Sequence, residues 1–143
     1  KSAIDLGIAM QLTNIARDVI EDKNRNREYI DYNFSSIENT IYNAEIFYKK
    51  SFLSISCIPV KSRFCVIVAR RVYKKIGDCI IKQKNIENYS KAGKIYVSIP
   101  EKILETILST VDFLRLLFIK DISYDNNENH SILNQEININ ERI

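Results

Sequence analysis

Four side chains near the start of the chain can do chemistry together: Gln11, Asn14, Asp18 and Asp22, with Glu21 one residue before the last. They follow one another at spacings of three, four and four residues, which on a helix stacks them on one face. Apolar residues surround them, from Ile4, Leu6, Ile8, Ala9 and Met10 to Leu12, Ile15, Ala16, Val19 and Ile20. A helix apolar nearly all round is expected to be buried. Two carboxylates one turn apart repel each other, and desolvation raises the cost. A hard divalent cation relieves both. Oxygen donors without Cys or His suit Mg²⁺ rather than zinc. The plain alternative is a solvated acidic stripe.

The elements that must position these donors are helical. The first helix is expected from about Ser2 to Asn24, ending in the polar run Lys23 to Arg27. A second, capped by Ser35 or Ser36, runs to about Ser56, with Ile37, Ile41, Ala44, Phe47 or Tyr48, and Phe52 inward. Pro59 opens a third, with Phe64, Ile67 or Val68, Val72, Ile76 and Ile80 inward and Gly77 at a close approach. Asn85 to Val97 reads as a connection. Ser98 caps a fourth helix, with Pro100 and Glu101 in its first turn and a stripe of Ile103, Ile107, Val111, Leu114 and Phe118. Residues 1–120 thus form one helical unit, and 121–143 read as a polar, disordered tail. No strand is expected. Lys1 is not an initiator Met, and no cap or approach loop precedes the first helix. The expectation is therefore that an N-terminal part is missing.

Composition narrows the function classes. Hydrophobic residues make up 45% of the 143, enough for a core. Only 3 Gly and 2 Pro leave room for long helices and few tight turns. The net charge of +3 is mild and its basic residues are scattered, so no nucleic-acid partner is expected. Cys57, Cys65 and Cys79 fit no metal spacing. They are expected as reduced core thiols, which points to a cytoplasmic location. No apolar run is long enough to span a membrane, and His130 lies in the tail.

The stretch Asp5-Leu6-Gly7-Ile8-Ala9-Met10-Gln11-Leu12-Thr13-Asn14-Ile15-Ala16-Arg17-Asp18, continued by Glu21-Asp22, Arg27 and Tyr29, resembles the second aspartate-rich motif of the squalene/phytoene synthase family. These are trans-isoprenyl diphosphate synthases that join prenyl chains head to head, and the likeness is strongest to the phytoene synthase branch. It returns at Ala69-Arg70-Arg71-Val72-Tyr73 with Ile76, and at Tyr96-Val97-Ser98 followed by Lys102. It spans about Ala3 to Leu108 and matches only the C-terminal half of the family. Three positions depart from the family pattern: Ile20 stands for a common Gly, Asp31 for Pro, and Lys94 for an Arg near a phosphate. Lys keeps the charge but loses the bidentate fork.

The resemblance implies an all-α, helical isoprenoid-synthase fold, of which this chain would be the C-terminal half, with about four helices lining a cavity. It implies Mg²⁺, with Mn²⁺ as a substitute, on Asn14, Asp18 and Asp22. Gln11 would lie beside that site and Arg17 would pair with a phosphate. Lys94 would bind substrate, and Tyr29 and Tyr73 would stand near the diphosphate and the reacting carbons. Asp18, Asp22 and Tyr73 would carry catalysis. Two geranylgeranyl diphosphates would condense to phytoene through a cyclopropyl diphosphate. A squalene-type condensation of farnesyl diphosphate would also need NADPH, for which no nucleotide motif is visible. A non-catalytic helical binding or assembly protein is the third reading. The implied partners are prenyl diphosphates and the missing N-terminal half. The fourth helix's stripe would dock that half or, with Arg115 and Lys120 beside it, make a peripheral membrane contact.

Overall fold

Side-chain caps decide where three of the helices begin. The computed structural model describes residues 2–118. Asn33, in extended backbone, accepts a hydrogen bond from the Ser36 amide at 2.8 Å and starts α3 (Phe34–Phe52). The cap is therefore Asn33, not Ser35 or Ser36. Asn85 does the same for α5 (Ile86–Ala92), accepting from the Asn88 amide at 2.8 Å. Ser98 and Glu101 form a reciprocal capping box at the start of α6 (Ile99–Leu117), which satisfies amides that a helix start otherwise leaves orphaned.

The remaining elements are α1 (Ser2–Arg17), α2 (Val19–Asn24) and α4 (Val60–Ile81), with a 3₁₀ turn at Leu53–Cys57 between α3 and α4. The expected first helix is thus broken, and Asp18 sits at the break with φ −101° and ψ 13°. The second helix ends at Phe52 and tightens into the 3₁₀ turn. The segment expected as a connection holds α5, which Gly93 terminates at φ +64°. A short helix with one buried residue, Tyr89, leaves little periodic signal. The fold is all-α, with six α-helices rather than four among the described residues and no strand.

α1 lies mainly against α3 and also touches α4, and α4 packs against α6. Ala16 and Val19 at the helix break join Ile37, Ile76, Ile80 and Tyr89 in the main core, extended by Ile95 and Val97. Ala9, Ala44 and Tyr48 form a second cluster between α1 and α3. Ile55, Ile67 and Leu116 form a third. A Cβ on Gly77 would lie 3.2 Å from Ile41 Cγ2, so α3 and α4 approach closely there.

Three burial expectations are overturned, the last of them in part. α1 is not covered on all sides: Ile4, Gly7 and Gln11 are exposed, whereas Asp5 and Thr13 are buried. The α6 stripe faces outward, with Ile103, Ile107, Val111 and Leu114 at least half exposed and Phe118 82% exposed. The inward side of α6 is polar at Glu105, Ser109 and Asp112, where Arg71 of α4 bonds the two carboxylates, and apolar only toward its C-terminal end at Phe113 and Leu116. Cys57 and Cys65 are exposed, so those two thiols are not core residues, while Cys79 is half-buried and packs against the main core. Cys57 and Cys65 lie off the faces that the 3₁₀ turn and α4 present inward. No described helix is long and apolar enough to cross a membrane. The expected polar tail at 121–143, with Lys120 and His130, lies outside the described residues.

Candidate functional site

Arg17 closes on its own neighbour. Its Nε and Nη2 donate to the two carboxylate oxygens of Asp18, at 2.9 and 2.8 Å. This bidentate geometry is the strongest form of the pair. Arg17 and Asp18 side chains are only 16% and 19% exposed. The guanidinium holds the Asp18 carboxyl below its usual range, and Asp18 in turn raises Arg17. Lys94, beyond α5, reaches the same point: its Nζ is 3.3 Å from Asp18 and donates to Glu21 at 2.8 Å. Glu21 also pairs with Arg25 at 2.6 Å. These contacts lower Glu21 and raise Lys94.

The network borders a hollow of about 210 Å³, walled by Arg17, Asp18, Ile20 and Glu21 on one side and Ser90, Gly93 and Lys94 on the other. The chain therefore brings Lys94 to the aspartate motif across 73 residues of sequence from Glu21. Tyr73 is half-buried on α4, packed against both the main core and the α1–α3 cluster.

Other expected members stand apart. Asp22 borders a separate, much smaller hollow with Lys23, Arg27, Tyr29 and Tyr32. Tyr29 is 61% exposed, and Gln11 is exposed on the open side of α1. No group of three or more acidic, His or Cys side chains gathers around one point among the described residues. One observation nevertheless fits a cation: Asn14 Oδ1 is buried without a hydrogen-bond partner. A buried carbonyl oxygen left unpaired costs ~1–3 kcal/mol. With Asp18 one turn on, Asn14 supplies an oxygen-only, hard donor pair that suits Mg²⁺.

Three residues beyond the sequence-derived set tie the helices together, and one of them, Tyr89, reaches the aspartate motif. Arg70 is buried and donates to the Tyr48 carbonyl at 3.2 and 2.8 Å, over the Phe52 ring. Arg71 ties α4 to α6. Tyr89 donates its hydroxyl to the carbonyls of Ala16 and Arg17. The double arginine belongs to a stretch whose likeness was already apparent, but nothing in the sequence signalled Tyr89.

The sequence model of the squalene/phytoene synthase family matches residues 1–30, which hold Asn14, Arg17, Asp18 and Asp22. The chain belongs to the squalene/phytoene synthase family. It is 31% identical to 15-cis-phytoene synthase of Pantoea ananas, over 52% of this chain and 31% of that protein. It is 31% identical to 15-cis-phytoene synthase of Paracoccus sp., over 65% and 38% respectively. It is 30% identical to the chloroplastic phytoene synthase of Daucus carota, over 82% and 33%. The chain therefore spans about a third of the length of the curated relatives it matches. No solved structure matches it significantly.

Proposed function

We propose that this chain is the metal- and diphosphate-binding portion of a head-to-head prenyl transferase of the phytoene synthase type. The observation that carries the reading is the hollow beside Asp18, where a guanidinium fork and an ammonium converge on a carboxylate inside the family's matched segment. Two cations on one hollow suit an anionic group with many oxygens. Asn14, Asp18 and Asp22 would hold Mg²⁺, which stabilises the charge that develops on a departing pyrophosphate. Arg17 and Lys94 donate to phosphate oxygens once they leave the carboxylates. Tyr73 lends its ring to the allylic cation, whose survival requires that apolar walls exclude water. Gln11 and Tyr29, which stand apart from this hollow, would reach substrate only beyond it.

In this reaction, C–O ionisation of one geranylgeranyl diphosphate releases pyrophosphate. The double bond of the second attacks, and proton loss closes a cyclopropylcarbinyl diphosphate. A second ionisation releases the other pyrophosphate, and rearrangement with proton loss gives phytoene. The relatives' names favour this product over squalene.

The apolar outer face of α6 belongs, on this reading, against the further length that the relatives have. What supports it is the inverted polarity of that helix. A lipid contact is the second reading, favoured by Lys102 and Arg115, which are the exposed charges of α6, while Glu105 and Asp112 turn inward to Arg71. The protein would then work in the cytoplasm, at a membrane surface.

The test is product identification in a protein of the relatives' length. It is incubated with geranylgeranyl or farnesyl diphosphate, with and without Mg²⁺ and NADPH. Phytoene is expected from the first substrate, dependent on Mg²⁺ and independent of NADPH. Asp18→Ala or Asp22→Ala is expected to abolish turnover with the helical content unchanged. Wild-type product formation by either variant refutes the assignment.

A further inference from the structure

α1 and α2 would form one helix if the backbone ladder ran unbroken through Asp18. Bonds do run from the Asp18 amide to the Asn14 carbonyl at 2.9 Å and from the Asp22 amide to the Asp18 carbonyl at 2.8 Å. Between them, an unbroken helix spends the carbonyls of Ala16 and Arg17 on the amides of Ile20 and Glu21. Here both carbonyls accept the Tyr89 hydroxyl instead, at 2.9 and 2.8 Å. Sharp bends in helices come from Pro, from Gly, or from a side chain inserted into the ladder. Residues 13–23 contain neither Pro nor Gly, and Tyr89 is fully buried against the break. Asp18 itself takes φ −101° and ψ 13°, the bridge region in which many active-site residues sit.

We propose that Tyr89 is a positioning residue for the aspartate motif: its hydroxyl holds the helix open at Asp18 and so sets where Asp18 and the carboxylates of α2 face. Tyr89 touches no reacting atom and acts through the backbone of Ala16 and Arg17. The functional half of the proposal rests on reading the motif as a metal site, while the structural half stands on the two hydroxyl bonds alone.

The molecule supplies its own control. Tyr48 is also buried, and its hydroxyl bonds another α1 residue, Thr13, at 3.1 Å, away from the break. Tyr89→Phe and Tyr48→Phe each delete one oxygen and keep the ring in the core. Two measurements on the full chain decide between a positioning and a merely structural role: amide hydrogen exchange at Ile20 and Glu21, and Mn²⁺ affinity by electron paramagnetic resonance. In Tyr89→Phe the ladder is expected to close, slowing exchange at both amides, and Mn²⁺ affinity to fall about tenfold, as for groups that orient ligands from behind. Tyr48→Phe is expected to lower the thermal midpoint comparably and to change neither readout. Unchanged exchange in Tyr89→Phe, or an equal loss of Mn²⁺ affinity in Tyr48→Phe, overturns the proposal. A wild-type chain that takes up no Mn²⁺ overturns the metal reading and with it the functional half, and the exchange data still decide what holds the break.

Discussion

Two arginine-centred networks of similar composition do different things in this chain. Arg71 sits in a seam: its guanidinium is shared between Glu105 at 2.8 Å and Asp112 at 2.7 Å, and it fastens α6 to α4. Arg17 sits on a wall: it shares Asp18 with Lys94, and the group borders an open hollow. In the seam, one cation is closed between two carboxylates of a single neighbouring helix. At the wall, two cations and two carboxylates border open space, and a buried amide oxygen one turn from Asp18, on Asn14, has no partner. A charge cluster becomes a candidate site through unused bonding capacity beside empty space, not through the number of its charges.

The largest expected effect that separates the two is in the seam. Arg71→Met leaves Glu105 and Asp112, only 12% and 18% exposed, facing an apolar side chain. Because Arg71 is 23% exposed, the cost falls between surface and buried pairs, at about 2 kcal/mol. Chemical denaturation measures it, and the outer face of α6 should become more protease-sensitive. Mn²⁺ affinity at temperatures where the variant is folded should not change. A coupled loss of metal affinity would show that the seam also shapes the wall, and the contrast would collapse.

The wall should instead reveal itself through pH. Arg17 holds the Asp18 carboxyl below its ordinary value of 3.8. A depressed carboxyl stabilises the fold fully above its unfolded value, and that contribution is lost as pH falls through the folded value. The wild-type midpoint should therefore drop between about pH 5 and pH 3 by more than that of Arg17→Met, the difference corresponding to about 1 kcal/mol for a partly exposed pair. Parallel pH curves for the two proteins would mean that the bidentate pair contributes nothing in solution.

Much of this was legible from residue order alone. The aspartate motif, the α4 core face from Ile67 to Ile80 and the capping box at Ser98 are local signals, set by spacing within a few turns. What sequence could not deliver is relational. Ile103, Ile107 and Val111 have a core-like stripe, yet Arg71 draws the polar face of α6 inward and leaves the stripe outside. The break at Asp18 contains no breaker residue, because its cause is a hydroxyl 73 positions from Ala16. α5 has one buried side chain in its seven residues, too few for any period to show. Asn85 followed by Glu87 was the available cue, and it resembles an ordinary turn.

The smallest stability effect is expected at Lys94, and there the contrast is sharpest. Its side chain is 38% exposed, and it touches Asp18 at 3.3 Å and Glu21 at 2.8 Å. Exposed pairs of this kind contribute little to stability. Lys94→Met should therefore shift the denaturation midpoint little. If its ammonium serves a bound phosphate, the same variant should weaken inorganic pyrophosphate binding in the presence of Mg²⁺ by about tenfold, the loss of one charge-assisted bond. Lys94→Arg should retain that affinity, since it keeps the charge and adds a bidentate fork. Titration calorimetry reads all three proteins. A Lys94→Met chain that binds pyrophosphate as well as the wild type would return Lys94 to the status of Arg71, a cation whose work ends with its carboxylates.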